Sequence, residues 1–189
     1  MGKIVVATQK LLVERGYAGT TMAAIAAEAG IKSASIYRYF PNKKAILWEL
    51  AELFIAAQDQ AIHQCIAASH GGAPWRMVLS GYLQGLRENL VQEAWITPAQ
   101  LGFRSDPALK ESHEKILTLF NERFAGLLQT MGKKLTAQEA GRAAKMLVLC
   151  IDSYMMAIDR TAAAEQAPLQ KYFEELVFRY LEPYLEGNG

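Results

Sequence analysis

Strand signals are nearly missing from this chain of 189 residues. No stretch sustains an apolar/polar alternation, and no Asn-Gly or Asp-Gly pair stands between β-branched runs, which excludes a hairpin-rich β fold. Two cysteines, Cys65 and Cys150, are too few for a disulfide framework and read as reduced thiols of a cytoplasmic protein. Long apolar runs are absent too. Nothing approaches the roughly 18 residues of a membrane span, so no membrane partner is expected. Ile4–Val5–Val6 is too short for a signal peptide, and Val6 stands where a myristoylation signal needs Ser or Thr. Histidine is scarce. His63, His70 and His113 form no HExxH, no CxxC accompanies them, and no Ser-His-Asp order is present. His63, Cys65 and His70 fall on one long helix and cannot wrap tetrahedrally around an ion. The chain is therefore read as a non-enzyme with no catalytic residue, no metal site and no cofactor.

Helical periodicity fills the space left by these absences. Nine helices are expected: 3–15, 22–28, 33–40, 43–68, 75–93, a short sixth bracketed by Pro98 and Pro107, 108–131, 136–164 and 168–184. The boundaries follow from local chemistry. Gly16 supplies a left-handed stop to the first helix, Thr21 caps the second, and Pro41 ends the third. Asn42 caps the fourth. Thr136 and Glu139 form a capping box for the eighth, and Pro168 is placed in the first turn of the last. The fold class is all-α. A three-helix domain over 1–48 precedes a larger helical domain over 49–189.

The net charge of +1 hides an asymmetry. Residues 1–48 carry seven basic and two acidic side chains, a net +5; residues 49–189 carry 13 basic and 17 acidic, a net −4. A basic head on an acidic body suits a phosphate-binding module joined to something else.

Three short helices, with a glycine-containing turn between the second and third, have the geometry of a helix-turn-helix, whose second helix enters the major groove. That helix carries Ser33, Ser35, Tyr37, Arg38 and Tyr39. The small residues Ser33, Ala34 and Ser35 allow close approach to the groove. Hydroxyls of Ser35 and Tyr37 reach phosphate or base edges, and Arg38 is the one side chain there able to grip guanine in bidentate fashion. Tyr39 reads equally as a packing aromatic. Ile36 and Phe40, four apart, share the face expected to be packed. Lys43 and Lys44 sit at the positive end of the fourth helix, where cations are disfavoured by a few tenths to about 1 kcal/mol. A DNA phosphate held there relieves the conflict; an ordinary solvated turn is the plainer alternative.

Residues 11–47, LLVERGYAGTTMAAIAAEAGIKSASIYRYFPNKKAIL, resemble the DNA-binding signature of the tetracycline-repressor (TetR) family. The resemblance rests on Gly16–Tyr17, Thr21, Ile25–Ala26, Ala29–Gly30–Ile31 and the run Ile36 to Lys43. It implies a homodimeric repressor that leaves a palindromic operator in double-stranded DNA when a small-molecule effector binds. It also implies that Thr21 touches a phosphate, that Ser33, Ser35 and Arg38 read bases or the nearby sugar-phosphate, and that Tyr37, Tyr39 and Lys43 hold the backbone. Lys32 and Lys44 complete the candidate DNA-contacting set. Lys32 departs from the family's usual capping serine, so Ser33 is the expected alternative cap, and Ala34 replaces a frequent glycine. Without a basic arm ahead of Lys3, weaker binding at high salt is expected.

In the second domain, Tyr82, Trp95, Phe103, Arg104, Phe120, Met146, Cys150 and Tyr154 are candidates to line an effector pocket between the fourth to eighth helices, although each also reads as plain core. Arg104 is read as pairing either with an anionic effector or with Asp106. Asp152 and Asp159 interrupt an apolar helix as pocket groups or salt-bridge partners. Tyr172, Phe173, Leu176, Val177, Tyr180 and Tyr184 form an aromatic stripe on the last helix, the expected dimer interface together with the eighth. An alternative reading is a thiol-based redox regulator using Cys65, placed at an exposed helix end, or Cys150.

Overall fold

A computed structural model describes residues 1–132, 134–158 and 160–186; Asp159 lies outside the described residues. Among those residues the chain is all-α, with no strand. The helices are α1 (Gly2–Gly19), α2 (Met22–Glu28), α3 (Ser33–Ile36), α4 (Lys43–His70), α5 (Trp75–Gln92), α6 (Ile96–Ser105), α7 (Lys110–Met131), α8 (Ala137–Ile158) and α9 (Ala163–Leu185). A 3-10 turn, Pro107–Leu109, joins α6 to α7.

Two compact units form. One comprises Met1–Ala57 with Glu93–Lys115; the other comprises Gln58–Gln92 with the described residues from Ile116 onward. The unit that holds the amino-terminal helices thus extends past residue 48 into α4 and recruits α6. Both α4 and α7 contribute one end to each unit.

The first unit closes around Ile4, Ala7, Leu11, Ile25, Ala26, Ile36, Phe40 and Ile46. Gly16 adopts φ 64°, a left-handed conformation that breaks α1 and re-aims its last turn. The capping expectations are met at Thr21, whose hydroxyl accepts from the Ala24 amide at 3.2 Å, and at Asn42, whose side-chain oxygen accepts from the Ala45 amide at 2.9 Å. Gly102 of α6 lies against Tyr17. A Cβ at this position would stand 2.5 Å from Tyr17 Cδ2, closer than any real contact. Gly102→Ala is therefore expected to destabilise the protein by about 1–3 kcal/mol, the usual cost of overpacking. That lowers Tm by about 2–4 °C per kcal/mol in a chain of this size. Thermal denaturation followed by circular dichroism checks it, and an unchanged Tm would show that Tyr17 yields freely.

The second unit packs Tyr82 edge-on to Phe124, with ring centroids 5.2 Å apart. The Tyr82 hydroxyl donates to Gln58 Oε1 at 2.8 Å. The Arg123 guanidinium forms a bidentate pair with the Asp59 carboxylate. The capping box of α8 is reciprocal: the Thr136 amide donates to Glu139 Oε2 at 3.0 Å and the Glu139 amide to Thr136 Oγ1 at 3.3 Å.

Several boundaries differ from the sequence reading. Pattern alone carries the third helix to Phe40, but it ends at Ile36. The amides of Arg38 and Tyr39 donate to carbonyls three residues back, so the segment tightens into turns before Pro41. Lys32 precedes α3 without a side-chain cap, and Ser33 is helical rather than capping. The eighth helix stops at Ile158 instead of running to about 164. Gln166 Nε2 donates to the freed carbonyls of Ile158 and Thr161 at 3.4 and 3.1 Å, and a new helix starts at Ala163. Pro168 consequently lies inside α9, not at its first turn.

Candidate nucleic-acid interface

Position on the helix-turn-helix follows from which residues the core claims. Ile36 is fully buried and Phe40 nearly so, which fixes the intervening Tyr37, Arg38 and Tyr39 on the outside. Tyr37 is 54% exposed and Tyr39 56% exposed. This placement of Tyr39 favours an outward role over a core one. Thr21, Lys32, Ser33, Arg38 and Lys44 are exposed, and Ser35 is half-buried. The turn between α2 and α3 passes through Gly30 at φ 67°, and the Ile31 amide closes it by donating to the Ala26 carbonyl at 3.0 Å.

Lys43 is placed differently from Lys44. It is half-buried, its ammonium donates to the Tyr17 carbonyl at 3.0 Å, and it sits 3.6 Å from the Tyr17 ring centroid. Burial pulls its pKa down, partly offset by the Asp106 carboxylate. Lys43 is thus engaged inside the chain with Tyr17, and the exposed Lys44 presents its charge to solvent.

Sequence reasoning missed the partner of this arrangement. The Tyr17 hydroxyl donates to Asp106 at the end of α6. Asp106 also accepts from the Ala108 amide at 2.9 Å, capping the 3-10 turn. The latch links Asp106, Tyr17 and Lys43, and so ties α6 to the start of α4. In the sequence Asp106 stands as a candidate partner of Arg104 and as a capping residue ahead of Pro107, and neither role points to Tyr17.

The hydroxyl of Tyr17 and the Ala108 amide hold the Asp106 carboxyl below its ordinary value of 3.8. A depressed carboxyl contributes stability above its unfolded-state pKa and loses it as pH falls through the folded value. Tyr17 is pushed up by burial and by Asp106, so its own contribution fails only in strong alkali. Asp106→Asn should therefore flatten the acid limb of stability below about pH 4 relative to the wild type. Thermal melts between about pH 3 and 6 test this; superimposable acid limbs would deny the latch any role.

The effector-lining candidates divide between the two units. Trp95 and Phe103, both buried, and the exposed Arg104 belong to the first. Tyr82, Phe120 and Tyr154, buried, with the exposed Met146 and half-buried Cys150, belong to the second. On α9, Tyr172 is 77% and Leu176 53% exposed, while Val177 is buried within the unit. Phe173 stacks on Tyr154 with centroids 4.3 Å apart, and Tyr180 lies beside Tyr184. On α8, Met146 and Leu149 are exposed apolar residues one turn apart.

The expectation that Cys65 stands at an exposed helix end is corrected. Cys65 is buried, its thiol approaches the Val78 carbonyl at 3.9 Å, and burial pushes its pKa up. Both effects oppose thiolate formation. Among the described residues no group of three His, Cys, Asp or Glu side chains is placed to hold a metal ion, and no helix is long and apolar enough to cross a membrane.

Residues 4–50 match the family model described as bacterial regulatory proteins, tetR family. The chain is 25% identical over 203 residues to the HTH-type transcriptional regulator HbdR of Aromatoleum sp. (strain CIB), covering 99% of this chain and 81% of that protein. It is 28% identical over 157 residues to the nucleoid occlusion factor SlmA of Pasteurella multocida (strain Pm70), covering 80% of this chain and 78% of that protein. The fold is also that of Thermus thermophilus FadR, a TetR-family transcriptional repressor solved in complex with lauroyl-CoA. That match has a TM-score of 0.67 at 19% identity, over 100% of this chain and 94% of FadR.

Proposed function

We propose that this chain, a DNA-binding transcriptional regulator belonging through residues 4–50 to the tetR family of bacterial regulatory proteins, is a repressor that grips a palindromic operator as a homodimer. A small organic effector, bound by its second unit, releases it. The observation that carries this reading is the outward Tyr37–Arg38–Tyr39 segment, backed by buried Ile36 and Phe40.

The roles divide by chemistry. Arg38 reads guanine, with Ser33 and Ser35 close to the bases at the start of α3. Thr21, Lys32, Tyr37, Tyr39 and Lys44 hold phosphates and set the register. Lys43, engaged with Tyr17, positions the α4 amino terminus toward the backbone. The exposed apolar residues of α8 and α9 supply a two-fold interface, because half-sites roughly one helical turn apart need two linked recognition helices. The candidate effector lining lies around Tyr82, Phe120 and Tyr154. The lauroyl-CoA bound to FadR is an apolar chain with a polar head, which is compatible with that aromatic lining.

Release requires only that the effector bind one spacing of the two recognition helices better than the other. The helix α4 is suited to carry the change, since it begins at Lys43 beside the latch and ends at His70 in the second unit. Selection of bound sequences from randomised duplex DNA tests the core of the proposal. A palindromic motif supports it; no enrichment at low salt sinks it.

A further inference from the structure

The second unit contains buried donors with nothing to donate to. Tyr154 is 5% exposed, and its hydroxyl has no hydrogen-bond partner. The Arg87 Nε–H is likewise buried without an acceptor, and Arg87 forms no ion pair among the described residues. A buried polar group left without a partner is costly, and native proteins leave few of them unless a ligand or water completes the set.

The helix registers bring these two side chains to one region. On α5 and α9, Ser80 Oγ donates to Glu174 Oε2 at 3.0 Å, Arg76 pairs with Glu182 at 2.6 Å, and Trp75 meets Phe178 edge-on. The two helices therefore run antiparallel, and advancing along α5 means retreating along α9. Arg87 lies two turns beyond Ser80 on the same face of α5, opposite the first turns of α9. Tyr154 is stacked on Phe173, one residue from Glu174. Burial pushes the Tyr154 hydroxyl up, with the Arg87 charge opposing and the Glu174 charge assisting, as expected when both lie near it.

Glu174 does not satisfy these donors. Its oxygens accept from Ser80 Oγ and, at 2.8 Å, from Gln170 Nε2, and neither the Tyr154 hydroxyl nor the Arg87 Nε–H is hydrogen-bonded to it. Beside the stacked aromatic pair the unfilled donors are an arginine N–H and a phenolic O–H; among the described residues the other buried side-chain atoms of this unit without a partner, Asn89 Oδ1 and Asn121 Oδ1, are acceptors. The complement of two donors, one of them cationic, is an anionic oxygen acceptor on an apolar body.

We propose that the effector site of the second unit is an organic-acid site in which Arg87 and Tyr154 grip the ligand's carboxylate. The assignment rests on the effector reading above and specifies its chemistry. Tyr154 supplies a short O–H bond and Arg87 the charge, while the Tyr154–Phe173 stack borders the apolar part.

Two measurements test it. The first needs no ligand. Tyr154→Phe retains the stack and removes the orphan hydroxyl, so Tm should hold or rise; a fall of several degrees would mean that the hydroxyl already has a structural partner, and would overturn the site. The second titrates full-length protein with octanoate and benzoate, each against its amide, following Tm and heat of binding. At least one acid should bind roughly ten- to a hundredfold more tightly than its amide, the range of a charge-assisted hydrogen bond. The preference should disappear in Arg87→Gln and weaken in Tyr154→Phe. Acids that fail to bind, or that bind the variants as well as the wild type, overturn the proposal. If a neutral compound then still releases operator DNA, the effector reading survives without it. If compounds of neither kind change operator affinity, the effector reading itself has failed.

Discussion

Tyr172→Glu combined with Leu176→Glu is expected to turn a dimer into a monomer and to weaken operator binding by about 10²- to 10⁴-fold, the avidity that disappears when two binding modules are unlinked. The two residues lie four apart on α9 and so share a face. They are 77% and 53% exposed, so the substitutions cost little inside one chain. In a two-fold interface each glutamate would sit close to its symmetry mate or be buried without a partner, and both arrangements are strongly unfavourable. Helical content should stay unchanged by circular dichroism while the mass by sedimentation halves. A variant that keeps its mass would place the interface elsewhere, and a wild type already monomeric would remove the basis for the two-site argument.

The last helix is also where the sequence pattern is ambiguous. A helical stripe of Tyr172, Phe173, Leu176, Val177, Tyr180 and Tyr184 is broader than a single packing surface needs. It contains two faces, because α9 is apolar both toward its own unit, through Val177 and Leu181, and away from it, through Tyr172 and Leu176. Periodicity detects apolar residues and cannot tell an internal neighbour from an external one. The same limit explains Cys65. Its neighbours His63 and Gln64 are exposed, but the one position between them and Ile66 turns toward Val78 and becomes core.

Local chemistry was read most reliably where cause and effect are a few residues apart. Gly16, lacking a Cβ, takes the positive φ that breaks α1, and the side chains of Thr21, Asn42 and the Thr136–Glu139 box each cap within one helical turn. Failures came where a distant group decides. Gln166 reaches back to the carbonyls of Ile158 and Thr161, which lets α8 stop early and α9 begin before Pro168. Tyr17 and Asp106 stand 89 positions apart in the chain, a pairing that no window of sequence can propose. Yet this latch holds Lys43 and thereby the start of α4, so the least legible pairing lies beside the most legible motif.

That motif gives the other large effect. Arg38→Ala should lower operator affinity by about 2–6 kcal/mol, since each bidentate arginine–guanine contact contributes about 1–3 kcal/mol and a dimer makes two. Every 1.4 kcal/mol is about tenfold, so the reduction lies between about 30-fold and 10⁴-fold. The signature lies in specificity more than in size. If Arg38 reads a base, the variant should tolerate any base pair at one position of each half-site, while the salt dependence of binding changes little. Lys44→Ala should behave in the opposite way, weakening all sequences alike and reducing the salt slope by about one for each phosphate it no longer neutralises. Fluorescence anisotropy with a panel of singly substituted operators at several salt concentrations separates the two. Because Arg38 is exposed and lies beyond the end of α3, the folded state loses nothing when it is truncated. A fall in affinity without a fall in Tm is then attributable to DNA binding alone. If Arg38→Ala instead weakens all operators equally and flattens the salt slope, Arg38 grips phosphate, and base reading passes to Ser33 and Ser35 at the start of the helix.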